Sequence, residues 1–171
     1  MILLSDRSVL EISGSDRLSF LQGLVTCDVS RDAPIIYGAM LSPQGKIRFD
    51  FFLHQQGAKW LLDVPSAQLE DIKKILGFYI LRAEVTIAEA PELAVIASFK
   101  AEYDFPADPR LPIMGYRSII PREGLVGKQL LPELSYHTHR ITHGVPDSAD
   151  FIADRAFIAE YGLDALNAVS F

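Results

Sequence analysis

Cys27 is the only cysteine in the 171-residue chain, so no disulfide can close within it. That count is compatible with a reducing compartment. Positive charge is also scarce. Sixteen Lys and Arg face 22 Asp and Glu, for a formal net charge of −6. The longest basic run is the Lys73-Lys74 pair. Neutralising nucleic-acid phosphates requires a local excess of Lys and Arg, so direct nucleic-acid binding is not expected. No apolar run approaches the roughly 18 residues that would cross a bilayer, so no membrane partner is expected. The segment Met1 to Arg7 has neither the basic-then-apolar order of a secretory signal nor the Arg/Ser-rich character of a transit peptide. A cytoplasmic location is therefore expected, with a trimmed organellar protein as the alternative.

The chain does have a globular composition, with 49% hydrophobic and 22% charged residues. Chain length predicts one domain or two small interleaved ones. Arg7 to Ser13 reads as a strand, and Ser15 or Asp16 can cap a short helix carrying Leu18, Leu21 and Leu24 on one face. Gly23 lies where that helix should end. Residues 35–54 read as a hairpin turning at Ser42-Pro43-Gln44-Gly45. Its return strand places Ile47, Phe49, Phe51 and Leu53 on one face and Arg48, Asp50 and His54 on the other. Phe52 interrupts that polar face, which implies a partial cover. A third strand spans Lys59 to Val64. A helix opens at Pro65-Ser66 and is expected to stop at Gly77. Strands follow at 81–88, 93–100 and 115–120, and a helix at 133–142. Pro146-Asp147-Ser148 is read as opening another helical segment through Ala159. This pattern predicts an α+β fold with antiparallel sheets.

No motif for chemistry is complete. His139 and His143 are four apart, a spacing found in zinc helices, but the intervening Glu and any nearby cysteine are missing, so no metal site is expected. Gly127-Lys128 resembles the end of a phosphate loop, yet Arg122 and Gln129 stand where a Gly and a Ser or Thr are needed. Cys27 lies beside Asp28, which opposes thiolate formation. No Gly-x-Ser-x-Gly elbow occurs. Residue chemistry alone thus reaches an acidic α+β domain without a visible catalytic constellation.

Several segments together resemble the YgfZ/GcvT-like folate-binding superfamily. Ile12 to Val29, with Gly14, Asp16, Phe20-Leu21-Gln22-Gly23-Leu24 and Thr26-Cys27-Asp28-Val29, is similar to its opening segment. Met40 to Ile47 with Asp50 looks like the hairpin that follows. Asp108-Pro109-Arg110 with Gly115-Tyr116-Arg117 resembles an element of the YgfZ branch, and Tyr136, Arg140-Ile141 and Gly144-Val145-Pro146 resemble a later one. The ordered matches run from about residue 7 to Phe171.

The resemblance implies a GcvT-like fold with a ferredoxin-like half around residues 35–90. It also implies two interleaved subdomains, 1–34 with 101–171, and 35–100. The function implied is that of a tetrahydrofolate-binding accessory protein supporting iron–sulfur cluster assembly or repair, a binding module without turnover. Its partners would be a folate and iron–sulfur proteins. The alternatives are a folate-dependent aminomethyltransferase and a folate-free interaction scaffold. Thr142 stands where the aminomethyltransferases carry a pterin-contacting Glu, which disfavours transfer chemistry. The "K-G-C-Y-x-G-Q-E" signature of the YgfZ branch and the C-terminal β-barrel after it are not in this sequence.

By the same resemblance, Met40 and Tyr116 would line a pterin slot, Asp28 would accept pterin N–H groups, and Arg117 and Arg140 would hold the glutamate tail. The alternative is that Asp28 and Arg140 form structural ion pairs or caps.

Overall fold

A computed structural model describes residues 1–57, 59–101 and 103–170. Phe171, the last residue of the matched stretch, lies outside the described residues. Among the described residues, eight strands and three α-helices carry the fold: β1 (Ile2–Leu3), β2 (Arg7–Ser13), α1 (Arg17–Gln22), β3 (Ile35–Leu41), β4 (Ile47–Gln56), β5 (Lys59–Pro65), α2 (Leu69–Ile80), β6 (Thr86–Glu89), β7 (Leu93–Ser98), β8 (Tyr116–Pro121) and α3 (Glu133–Thr142). A five-stranded antiparallel sheet has the order β3-β4-β5-β2-β6, and a three-stranded one the order β1-β7-β8. The structure is thus α+β, as its sequence pattern predicts.

Helices α1 and α2 cover one face of the large sheet. Phe20 and Leu21 of α1 and Ile72 and Leu76 of α2 pack with Leu10, Ile12, Phe49, Phe51, Leu53 and Leu62. The opposite face carries Val9, Ile35, Tyr37, Phe52 and Leu61, which pack with Val95, Ala97, Ile119 and Tyr136. This second layer is the junction between the two sheets. The strand alternation explains both layers, because successive side chains point to opposite faces. Ile47 joins the inter-sheet core rather than the helix-side core. The β3–β4 register shifts by one residue at Met40/Leu41, next to Ile47.

Strand β2 pairs with both β5 and β6, so the elements of the large sheet run β-α-β-β-β-α-β from residue 7 to residue 89, not from 35. Strand β7, within the expected 35–100 subdomain, pairs instead with β1 and β8. Sheet membership therefore follows other boundaries than those expected.

Local expectations differ at two places, the end of α2 and the segment after Pro146, whereas α1 ends at Gly23 as expected, with a right-handed φ of −75° there. Gly14 is the residue that needs its freedom: its φ is +114°, and a Cβ there would lie 1.9 Å from the Glu84 carbonyl oxygen. Helix α2 continues through Gly77, where nothing lies within 4 Å of a Cβ position, and ends at Leu81 with φ 47°. Residues 146–157 form turns and bends rather than a helix, because the Asp147 and Ser148 side chains turn into the core.

Candidate functional site

The polar residues spaced along β2, β4 and β5 converge in the layer between the sheets. Arg7 donates from Nε to Asp63 Oδ1 at 2.6 Å and pairs with Asp50 Oδ1 at 3.2 Å. Arg117, on β8, reaches Asp63 Oδ2 at 2.6 Å from the other side. Asp63 is thus clamped between two guanidiniums. Arg117 and Arg110 both donate to the Tyr136 hydroxyl, at 2.9 and 2.6 Å. Arg110 also forks onto Asp108, at 3.0 and 2.7 Å. Asp50 accepts from the Tyr37 hydroxyl at 3.2 Å and from the Ser148 hydroxyl. The Phe52 ring lies among the cations, its centroid 3.9 Å from the Arg117 guanidinium carbon, 4.8 Å from that of Arg110 and 5.6 Å from that of Arg7.

Arg7, Arg110 and Arg117 therefore face Asp50, Asp63 and Asp108, and the formal charges cancel. All six are buried. Burial alone would raise the Asp50 carboxyl. Arg7, the Ser148 hydrogen bond and Arg110 reverse that and hold it below the usual carboxylate range. Burial likewise opposes ionisation of Asp108, and Arg110 more than compensates. Burial works against the Arg7 charge, but Asp63 and Asp50 raise its pKa further. Burial and the Asp50 charge push the Tyr37 phenol well above its ordinary range. His54 sits beside this lattice with its Nε2 unpartnered, and burial lowers its pKa to about 4, against the pull of Asp63. It is neutral at pH 7.

A second shell of pairs surrounds α3. Arg140 meets Asp147 at 3.1 Å, Asp150, and the Val145 carbonyl at 3.3 Å. Its Nε–H also donates to His137 Nδ1 at 3.1 Å. The His137 proton therefore belongs on Nε2, 3.4 Å from Asp6 Oδ2. Asp6, Glu133 and His137 gather as metal-ligating groups would. A protonated Nε2 has no lone pair for a metal, and Glu133 already accepts from Ser5 and Asp6. This triad is a hydrogen-bonded latch between the N-terminal segment and α3. Burial, with Asp147 and Glu133 nearby, raises the Asp6 carboxyl although His137 and Arg7 oppose it.

The residues expected to bind folate are placed as follows. Arg117 and Arg140 are buried, and each is already held by carboxylates. Asp28 sits on a half-buried loop, where the Ser30 hydroxyl and N–H donate to its carboxylate at 2.6 and 2.9 Å and lower its pKa. Met40 is enclosed in the helix-side core. Tyr116 is half-buried on β8, opposite Ser98 and Ala107. The cleft between Arg7, Phe52, Arg117, Tyr136 and Asp147 leaves no room even for a water-sized group and includes none of Asp28, Met40 or Tyr116. Small-molecule sites need roughly 300–1,000 Å³. The described residues around Arg117 and Arg140 do not fit a folate. Cys27 is buried, and burial pushes its thiol up to about 12. His139 Nε2 faces the Ile113 carbonyl and His143 Nδ1 the His139 carbonyl, both at 2.8 Å.

The sequence reading missed Arg7, Asp63, Asp108, Arg110 and Tyr136 as members of one network. The usable signal was the run of polar residues on β4 interrupted by Phe52.

No family model matches the chain. Among curated proteins it is similar to an "Iron-sulfur cluster assembly factor IBA57 homolog, mitochondrial" of Mycosarcoma maydis, with 28% identity over 96% of this chain and 48% of that protein. It is 30% identical to the human "Iron-sulfur cluster assembly factor IBA57, mitochondrial", over 98% of this chain and 57% of that protein. A "tRNA-modifying protein YgfZ" of Colwellia psychrerythraea is 35% identical over 57% of this chain. The chain spans about half the length of the assembly factors it matches. Among solved structures, the aminomethyltransferase T of the glycine cleavage system from Bartonella henselae aligns with a TM-score of 0.50 and 14% identity over 55% of this chain, a likeness of fold. The expected cytoplasmic location is corrected by these relatives. Those from Mycosarcoma maydis, Pyricularia oryzae, Homo sapiens and Mus musculus are mitochondrial proteins, which contradicts that expectation. Similarity to the assembly factors over 96–98% of this chain, the YgfZ match and the GcvT-like fold together support the YgfZ/GcvT-like superfamily for this chain, rather than one branch within it.

Proposed function

We propose that the protein is an accessory factor for iron–sulfur cluster assembly and acts by binding rather than by turnover. The observation that carries this reading is the similarity to assembly factors over 96–98% of the chain. The structure is compatible with it. The polar layer is charge-balanced and internally bonded, and the aligned position of the transferase Glu is Thr142, whose hydroxyl donates to the Thr138 carbonyl. Iron–sulfur proteins are the proposed partners. Tetrahydrofolate is the ligand the resemblance implies, and a ligand of that size needs space other than the cleft beside Arg117.

The test is replacement in cells that lack their own relative. Expression of the full-length protein should restore the activity of mitochondrial iron–sulfur enzymes. Normal protein levels without restored activity would sink the proposal.

A further inference from the structure

Two histidines at the C-terminal end of α3 lie outside the polar layer. His139 is in the last turn, and His143 is the residue at which the helix stops. They are four apart, which puts both side chains on one face. Both line a surface groove with Phe99, Pro132 and Leu134. Spacing alone makes no site, because the Glu and the cysteine of zinc motifs are missing. The hydrogen bonds supply what the spacing lacks.

A carbonyl oxygen only accepts, so a ring nitrogen bonded to one carries the proton. His139 Nε2 meets the Ile113 carbonyl at 2.8 Å, in the short turn Pro112–Met114. His143 Nδ1 meets the His139 carbonyl at 2.8 Å. The lone pairs of the neutral rings are therefore on His139 Nδ1 and His143 Nε2. A metal-ligating histidine characteristically donates its other N–H to a carbonyl or carboxylate, which fixes the tautomer and makes the ligating nitrogen more basic. Both rings have that arrangement. His137, two residues away, does not, because Arg140 Nε–H already occupies its Nδ1 at 3.1 Å. Phe99 packs on the His139 ring with centroids 4.5 Å apart and restrains its rotation. An ion held at about 2.0–2.1 Å by each nitrogen requires rings in near contact. The His139 and His143 centroids are 4.3 Å apart. His139 is half-buried and His143 exposed, so the pair is open to an ion from solvent.

We infer that His139 Nδ1 and His143 Nε2 together bind a late first-row divalent ion, of which zinc and copper(II) are the type. Imidazole suits those ions, whereas magnesium and calcium take oxygen ligands. Among the described residues no third His, Cys or carboxylate joins the pair, so water completes the coordination. The inference goes beyond the assembly reading and stands without it.

The test is titration of the intact chain, labelled with nitrogen-15 in its histidines, with zinc chloride. Imidazole nitrogen shifts then identify each ligating atom. His139 Nδ1 and His143 Nε2 should move saturably, while the other nitrogen of each ring keeps its proton and His137 stays in place. Copper(II) should displace zinc, following the affinity order of the series, and magnesium should move neither ring. His139→Gln and His143→Asn should each weaken zinc binding by at least roughly tenfold, since losing even an outer partner of a ligand costs that much. His143 is exposed, so His143→Asn should leave the unfolding midpoint without metal unchanged. Three results would overturn the inference: no saturable shift at millimolar zinc, shifts centred on His137, or unchanged affinity in both variants. Enzyme restoration in cells is a separate readout, so failure here and failure of the assembly role are distinguishable.

Discussion

Asp63 is the carboxylate held between two buried guanidiniums. It is fully buried and accepts from Arg7 at 2.6 Å and from Arg117 at 2.7 Å. Asp63→Asn keeps the volume and removes the charge, leaving the two guanidiniums with one fewer carboxylate between them. Breaking a buried pair by removing one partner costs about 3–5 kcal/mol. For a chain of this size that corresponds to a fall of roughly 6–20 °C in Tm. The surface pair Lys59–Glu11, at 3.0 Å, is the control, and Glu11→Gln should cost less than about 1 kcal/mol. Urea unfolding at pH 7 and calorimetry measure both. In a double-mutant cycle, Arg117→Met should offset part of the Asp63→Asn loss, because the two sites share a bond. A loss below about 1 kcal/mol for Asp63→Asn, or strict additivity with Arg117→Met, would refute the view that the lattice is a tightly coupled structural unit.

Other predictions concern titration and packing. His54 has a folded-state pKa of about 4 against 6.5 when exposed, so the unfolded state takes up the proton first. Its contribution, on the order of 3 kcal/mol, is complete above pH 6.5 and falls away as pH drops towards 4; His54→Leu should flatten that window in urea midpoints measured against pH. The depressed carboxyls of Asp50 and Asp108 act lower, stabilising above their unfolded pKa and losing that contribution as pH falls through their folded values. Acid titration of Asp50→Asn should show a shallower loss below pH 4. Gly14→Ala should cost more than about 1 kcal/mol, since φ is +114° and the Glu84 carbonyl occupies the Cβ position; an unchanged urea midpoint would contradict this. The Cys27 thiol should resist a disulfide reagent in the native state and react on unfolding, and rapid native labelling would count against its burial.

Much of the fold was legible because it is local. The 35–56 hairpin shows itself through alternation and the Pro43–Gly45 turn, and α3 spans the residues its pattern predicts. Gly77 misled because a glycine on an open helix face costs only about 1 kcal/mol, which packing of Ile72 and Leu76 outweighs. The segment after Pro146 misled because its polar side chains bond to distant groups: Ser148 to Asp50, and Asp147 to Arg140. The polar layer was the least legible part. Asp108 and Arg110 are two residues apart, but Arg7 and Asp63 are separated by 56, and Arg117 and Asp63 by 54. No local pattern records such pairs. The resemblance assigns Arg117 and Arg140 to a glutamate tail, with an ion pair as the alternative for Arg140, whereas the structure pairs Arg117 with Asp63 and Arg140 with Asp147 and Asp150.

The assembly role is tested most directly by following labelled iron into recipient proteins. In mitochondria from cells lacking their own relative, incorporation of radioactive iron into immunoprecipitated iron–sulfur enzymes should be low, and the full-length protein should restore it. Equal incorporation with and without the protein, at matched enzyme levels, would contradict the account.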